Sequence, residues 1–121
     1  MSDEKALILV IEDDAGLVEL YKIAFGMIRP APSVDACLDG RSGLERVQRQ
    51  PEPQVILLDL HLPHVEGVEI FEKARAMTKS AIVVVTADAE TARRLPGKPD
   101  YVFYKPFGHV REIMECVRSL L

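Results

Sequence analysis

Four apolar runs in this 121-residue chain end abruptly in residues able to do chemistry. Ala6–Ile11 runs into Glu12-Asp13-Asp14, Val55–Leu58 into Asp59, Ala81–Val85 into Thr86, and the aromatic run Tyr101–Tyr104 into Lys105-Pro106. Carboxylates gathered at one place repel, and one of them would take up a proton unless a cation intervened. A hard divalent ion such as Mg2+ answers that need, because it takes oxygen ligands and is commonly held by one or two carboxylates. An aspartate can also attack phosphorus and carry the phosphoryl group. Phosphoryl transfer then asks chiefly for positioning and for neutralisation of the equatorial oxygens. Lys105 offers an ammonium for that purpose and Thr86 a hydroxyl.

These residues can act together only if the fold brings the ends of the runs to one place. Continuous apolar runs this short read as strands of a parallel sheet buried on both faces. A weaker run at Ser33–Cys37 raises the expected number of strands to five. Between the runs lie helical patterns. Leu17, Leu20, Tyr21, Ala24, Phe25 and Ile28 keep one stripe, and Arg29-Pro30 stops it. Gly40–Gln50, Val68–Met77 and Val110–Leu120 are the next helices, the first of them halted by Pro51 and Pro53. Ala89–Leu95 has room for about two turns before the prolines at 96 and 99. Strand and helix in alternation predict an α/β domain with right-handed crossovers and helices on both faces. Ligands of such sheets bind beyond the carboxyl ends of the strands, where the polar residues stand.

Hydrophobic residues make up 48% of the chain and charged residues 28%, a globular composition with no linker, repeat or low-complexity tract. The formal net charge is −4 and basic residues form no long block, which argues against a nucleic-acid partner. Arg41, Arg46 and Arg49 read as a solvated helix face. Acidic Asp3 and Glu4 stand where a signal peptide would be basic, and no apolar stretch is long enough to span a membrane. Cys37 and Cys116 lack any CxxC or Cys/His spacing, as expected of thiols in a reducing compartment. The expectation is one cytoplasmic domain over residues 1–121 with no output domain attached. His61 and His64 are too isolated to suggest a metal site. Asp14 is as well suited to cap the following helix as to bind a cation.

Val10-Ile11-Glu12-Asp13-Asp14, Leu57-Leu58-Asp59-Leu60-His61-Leu62-Pro63, Val85-Thr86-Ala87 and Tyr104-Lys105-Pro106-Phe107 together resemble the receiver domains of bacterial two-component response regulators. The likeness spans nearly the whole chain, in order, and resembles a stand-alone chemotaxis-type regulator. It implies a flavodoxin-like, doubly wound sheet of order 2-1-3-4-5 with about five helices. It makes Asp59 the phosphoacceptor, with Glu12, Asp13, Asp59 and the His61 backbone carbonyl around Mg2+, Glu12 acting through water. Thr86 and the Ala87 amide would contact the phosphoryl group and Lys105 would pair with it. The Lys105–Pro106 bond would be cis, and Gly67 would close the loop after the acceptor. The partners implied are a histidine kinase or phosphotransfer protein and an unidentified downstream protein, with the chain a monomer or a weak phosphorylation-dependent dimer. His61 and Asp88, each two residues past a phosphoryl contact, become candidates for setting phosphoryl lifetime.

Two departures stand out. The position three before the lysine, often Tyr or Phe in the family, is Val102, and its aromatic neighbours Tyr101, Phe103 and Tyr104 are expected on other faces. The stretch from Thr86 to Lys105 is short, which predicts a shortened or irregular fourth helix. They leave room for an alternative, a degenerate receiver that binds proteins without being phosphorylated. Enzymes on similar sheets fit poorly. His61 stands where a haloacid-dehalogenase-like phosphatase needs a second Asp, and Glu12-Asp13-Asp14 would repel the phosphate a flavodoxin binds.

Overall fold

Apolar β-branched and leucine side chains dominate three short segments, a mixed run at Ser33–Cys37 and an aromatic one at Tyr101–Tyr104 add two more, and a computed structural model, which describes residues 5–121, pairs all five in one parallel sheet. The expected acidic start at Asp3 and Glu4 lies outside the described residues. The strands are β1 (Leu7–Ile11), β2 (Ser33–Cys37), β3 (Val55–Leu58), β4 (Ala81–Thr86) and β5 (Tyr101–Tyr104). They lie in the order β2-β1-β3-β4-β5, as the sequence implied. The helices are α1 (Ala15–Phe25), α2 (Gly40–Val47), α3 (Gly67–Met77), α4 (Ala89–Arg93) and α5 (Val110–Leu120).

Strict alternation along the strands divides the core in two. Ile8 and Val10, Val55 and Leu57, and Val83 and Val85 face one side, where Val18, Tyr21 and Phe25 of α1 and Ile113 and Val117 of α5 cover them. Leu9 and Ile11, Ile56 and Leu58, and Ile82 and Val84 face the other, under Val47 of α2 and Ile70, Phe71 and Ala74 of α3. Each such fully buried aliphatic side chain contributes about 1.5–3 kcal/mol, so the central strands cannot slip register without exposing a whole row.

Caps set where the helices begin. The Asp14 carboxylate accepts from the Leu17 amide at 3.1 Å, the Asp39 carboxylate from Ser42 at 2.8 Å, and the Asp88 carboxylate from Thr91 at 3.0 Å. His109 is exposed and caps α5, its Nδ1 accepting from Arg111 at 3.0 Å. Three helices stop earlier than their patterns suggest, α4 at Arg93 among them. α1 ends at Phe25, but Met27 and Ile28 donate three residues back, a tighter turn that keeps Ile28 buried in the stripe. α2 ends at Val47 in the same manner, with Gln48 and Arg49 donating to Glu45 and Arg46.

That early stop corrects the reading of the basic cluster. Arg41 and Arg49 are exposed, but the Arg46 side chain is only 3% exposed. Its guanidinium donates to Asp35 of β2 at 3.2 Å, to the Arg49 carbonyl at 3.1 Å and to the Pro51 carbonyl at 2.7 Å. The chain turning back from α2 towards β3 presents carbonyls that a planar five-donor group satisfies.

The fourth helix is short as expected, five residues in α4. Beyond it α3 holds the chain. Arg75 lies 5.3 Å from the Phe71 ring centroid and donates to the Lys98 carbonyl at 2.6 Å and to Asp100 at 3.2 Å. Asp100 in turn accepts from the Ile82 amide at 2.7 Å. The register of β5 corrects a second expectation. Val102 lies opposite Val84 and Tyr104 opposite Thr86, so Tyr104 shares the face of Val102. Phe103 packs on the α1/α5 side, while Tyr101 and Tyr104 are exposed. The Lys105–Pro106 bond is cis as expected, and so are Arg29–Pro30 and Gln50–Pro51. No helix among the described residues is long and apolar enough to cross a membrane, and Cys37 and Cys116 are free and half-buried.

Candidate functional site

The alternation that builds the core also builds the site. On the α1/α5 side the row Ile8, Val10 continues to Glu12, the row Val55, Leu57 continues to Asp59, and Phe103 is followed two residues on by Lys105. All three polar groups therefore leave the sheet on the same side at its carboxyl end, Glu12 and Asp59 from neighbouring strands and Lys105 from β5, with β4 between. The backbone holds them in register, since Asp59 N–H donates to the Ile11 carbonyl at 3.0 Å, Glu12 N–H to Cys37 at 3.0 Å, and Lys105 N–H to Thr86 at 2.9 Å.

Lys105 Nζ donates to Glu12 Oε1 at 2.7 Å and to Asp59 Oδ2 at 2.9 Å. The remaining carboxylate oxygens are also occupied. Glu12 Oε2 accepts from the Asp14 amide at 3.1 Å, and Asp59 Oδ1 from the His61 amide at 3.1 Å. Glu12 is 2% exposed and Asp59 6%. Burial pushes the Glu12 carboxyl above its ordinary range, and the charge of Asp59 adds to this against the opposing bonds from Lys105 and Asp14. For Lys105, burial is the largest single influence and favours the neutral amine. The bonds to Glu12 and Asp59 outweigh it, and the ammonium is held above its usual range. The lysine is thus firmly charged, and Glu12 bears the strain of sharing a buried position with a second carboxylate.

Asp59 has a second side. A cleft of about 460 Å³ is lined by Asp13, Asp59, His61, Ala87 and Asp88, so Asp59 stands between the half-buried lysine and open solvent. Asp13 is exposed at the rim. Oxygens of Glu12, Asp13 and Asp59 all lie within 4.8 Å of one another, the cluster of possible metal ligands found among the described residues. An all-oxygen donor set, open to solvent on one side and carrying three carboxylates, suits Mg2+ with its retained waters and phosphate oxygens. His64 is not part of it. A larger recess, about 870 Å³, between Lys5, Asp35, Gln50 and Gln54 lies at the opposite ends of the strands, away from this chemistry.

The loop after Asp59 is fixed by backbone packing. A Cβ on Gly67 would run into the Leu60 Cα and the Asp59 carbonyl, and one on Gly40 would strike the Val65 carbonyl. Gly40 N–H donates to Pro63 at 2.9 Å and Gly67 N–H to Leu60 at 3.0 Å, so α2 and α3 both start against this loop.

The structure brings Glu12, Asp13, Asp59, His61, Ala87 and Lys105 to one place. Thr86 is adjacent in the chain but turned differently. It is fully buried, follows the opposite row Ile82, Val84, and its Oγ1 accepts from the Asp88 amide at 3.1 Å. Asp88 caps α4 from that position, its carboxyl held below the usual range first by the Thr91 hydroxyl and then by the Thr91 amide. The sequence did not reveal that Lys105 spans both carboxylates. The signal was the two-residue spacing from Phe103, which puts Lys105 on the face of Glu12 and Asp59.

The response regulator receiver domain model matches residues 8–118. The response regulator ArlR of Staphylococcus epidermidis is 30% identical over 118 residues, covering 94% of this chain and 52% of that protein. The chain thus spans about half the length of the curated relatives it matches. A CheY-like receiver domain protein from Methanospirillum hungatei superposes with a TM-score of 0.81 at 20% identity, over 96% of this chain and 93% of that one. The phosphorylated cyanobacterial phytochrome response regulator RcpA does so with a TM-score of 0.76 at 19% identity, over 97% and 91%. With its sheet order, its carboxylate cluster and its shared lysine, the chain belongs to the response regulator receiver domains, the phosphoacceptor signalling modules of two-component systems.

Proposed function

We propose that Asp59 of this chain is the phosphoacceptor, charged by the phosphohistidine of a histidine kinase or phosphotransfer protein in the cytoplasm. The single observation that carries this reading is Lys105 Nζ bound at once to Glu12 and Asp59, beside a cleft that opens onto Asp59. An Asp59 carboxylate oxygen attacks phosphorus, the phosphorus–nitrogen bond of the donor breaks, and the imidazole leaves with the electron pair. Lys105 stays within reach of the oxygens that gain charge. Glu12, Asp13 and Asp59, with the His61 carbonyl, would hold Mg2+, which supplies positive charge to the phosphoryl oxygens. Ala87 borders the cleft, where its amide would help hold the phosphoryl group, and Thr86 would reach that group by exchanging its present bond with the Asp88 amide.

Phosphorylation adds about two negative charges at the cleft, and the output is a shift between two conformations read by another protein. On this reading residues 1–121 form one receiver domain that catalyses only its own phosphoryl transfer and loss, monomeric or weakly dimeric once phosphorylated. The test is incubation with Mg2+ and acetyl phosphate followed by mass spectrometry. One phosphoryl group should be gained by the wild type and none by Asp59→Asn. Equal labelling of the two proteins would move the acceptor elsewhere. No labelling of either, with unchanged partner binding by Asp59→Asn, would favour a receiver that works unphosphorylated. The lifetime role of His61 is tested by dephosphorylation rates in His61→Ala, and rates equal to wild type would dismiss it.

A further inference from the structure

Among the described residues, the Tyr21 hydroxyl is the buried side-chain polar atom that has no hydrogen-bond partner. Tyr21 is 1% exposed, on the α1 face that carries Val18 and Phe25, with its ring stacked on Phe25 at 5.8 Å between centroids and 5° between planes. Phenylalanine would fill the same space without burying an unsatisfied hydroxyl, so packing alone does not account for tyrosine here.

The direction of the side chain suggests what the hydroxyl is for. Helical side chains lean towards the helix N-terminus, and α1 begins just after its cap Asp14, whose amide is bonded to Glu12. Tyr21 packs in the cluster that holds Ile8 and Val10, the row that ends in Glu12. Glu12, for its part, stands to lose a donor. Its Oε1 is bound by Lys105, which also holds Asp59. Once Asp59 carries a phosphoryl group with about two negative charges, the ammonium is drawn to those oxygens. A water that links Glu12 to Mg2+ would serve one oxygen, and a carboxylate buried as deeply as Glu12 cannot turn to bulk water to replace the donor lost from the other.

We propose that the Tyr21 hydroxyl is a reserve donor for Glu12, taken up when Lys105 transfers its hydrogen bond to the phosphoryl group, which makes Tyr21 a positioning residue that favours the phosphorylated conformation. The inference rests on Asp59 being the acceptor. It accords with the phenol's titration, which burial raises most and which Glu12, Asp59 and Asp14 raise further, in that order. The hydroxyl offers one proton, and a bond to an ionised acceptor is among the stronger ones.

The experiment compares the wild-type chain with Tyr21→Phe, using beryllium trifluoride with Mg2+ as the phosphoryl mimic. Tyr21→Phe should bind the mimic about tenfold more weakly, the size of one hydrogen bond to a charged group. Its melting temperature without the mimic should equal or exceed that of wild type, since an unsatisfied hydroxyl has been removed. The tyrosine absorption band should shift to the red when wild type, Tyr101→Phe or Tyr104→Phe binds the mimic, and should not shift in Tyr21→Phe. Equal affinity for the mimic, or a loss of melting temperature that is the same with and without it, would overturn the inference and leave Asp59 as acceptor untouched. A wild type that binds no mimic and gains no phosphate would instead overturn the reading of Asp59, and this inference with it.

Discussion

The loops that follow β3 and β4 both deliver a residue to the cleft, yet they are built in opposite ways. After β3, Asp59 is followed by a loop wedged against the starts of α2 and α3, where Gly40 and Gly67 leave no room for even a methyl group. After β4, Thr86 leads into a five-residue helix held by side-chain caps, and the chain beyond it hangs on Arg75 and Asp100. One junction is fixed by backbone against backbone, the other by exchangeable polar contacts. The acceptor must be presented at one angle to two carboxylates and a lysine, whereas the segment after Thr86 has to rearrange if Thr86 is to exchange partners. A core packed at crystal-like density resists small displacements. A short capped helix does not, since its opening exposes little apolar surface.

The sharpest way to break this contrast is to place a methyl group in each region. Gly67→Ala drives a Cβ into the backbone of Leu60 and Asp59, and should cost about 3 kcal/mol or more, the upper part of the overpacking range. Gly97→Ala, in the segment after α4, meets only Phe71 ring atoms at 3.7 and 3.9 Å. Its difficulty is the φ of 141°, a conformation that costs a non-glycine residue about 1–3 kcal/mol. Urea unfolding of both variants measures the difference. A loss for Gly67→Ala no larger than that for Gly97→Ala would mean that the loop after Asp59 gives way to the added methyl group.

Lys105→Ala comes next. It leaves Glu12 and Asp59 facing each other with no cation, and breaking a buried pair in this way costs about 3–5 kcal/mol when burial is complete. The lysine side chain is 22% exposed, so a loss of about 2–3 kcal/mol is expected after allowance for solvent. Mg2+ should restore more melting temperature to this variant than it adds to wild type, because it replaces the missing charge. No difference in the Mg2+ effect would separate Lys105 from the carboxylate cluster. A smaller effect belongs to Arg75→Ala, which removes the bonds to Lys98 and Asp100 and the stacking on Phe71. A stability loss of about 1 kcal/mol is expected for these exposed contacts. Hydrogen exchange should quicken from residue 95 to 101 and stay unchanged at Asp59 and His61.

The same contrast governs what could be read from the residues alone. The sheet was legible because parallel strands buried on both faces leave unbroken apolar runs, and the site because Asp59, Glu12 and Lys105 end such runs. The short α4 was legible from Pro96 and Pro99. What escaped depended on how chain segments meet rather than on any one segment. Arg46 reads as a surface charge until the turn after α2 shows the carbonyls it serves. Tyr104 reads as an aromatic neighbour on a face apart from Val102 only until the strand is paired, when the spacing of two residues puts them together. Ile28 lies past the end of α1, yet a tighter final turn keeps it on the stripe. Tyr21 looks like one more apolar stripe position, and only its partnerless hydroxyl distinguishes it.

Acid titration gives the finest test, because Glu12, which shares Lys105 with Asp59 of the first junction, and Asp88 of the second are shifted in opposite directions. Glu12 is raised, chiefly by burial, so its stabilising contribution is complete below the ordinary glutamate value of 4.5 and is lost as pH rises through its own higher value. Asp88 is lowered, chiefly by the Thr91 hydroxyl, so its contribution is present above the ordinary aspartate value of 3.8 and is lost as pH falls through its own lower value. Acidification from neutrality should therefore first favour the carboxylate cluster and only later loosen α4. Against Glu12→Gln, wild type should gain relative stability as pH falls towards 4.5. Against Asp88→Asn, which keeps a cap without a titrating group, wild type should lose relative stability only below about 3.8. The Thr91 amide resonance reports the second event directly, since that N–H is bonded to the Asp88 carboxylate. If the Thr91 signal moved together with the Glu12-dependent change, the two junctions would be one cooperative unit and the division drawn between them would fail.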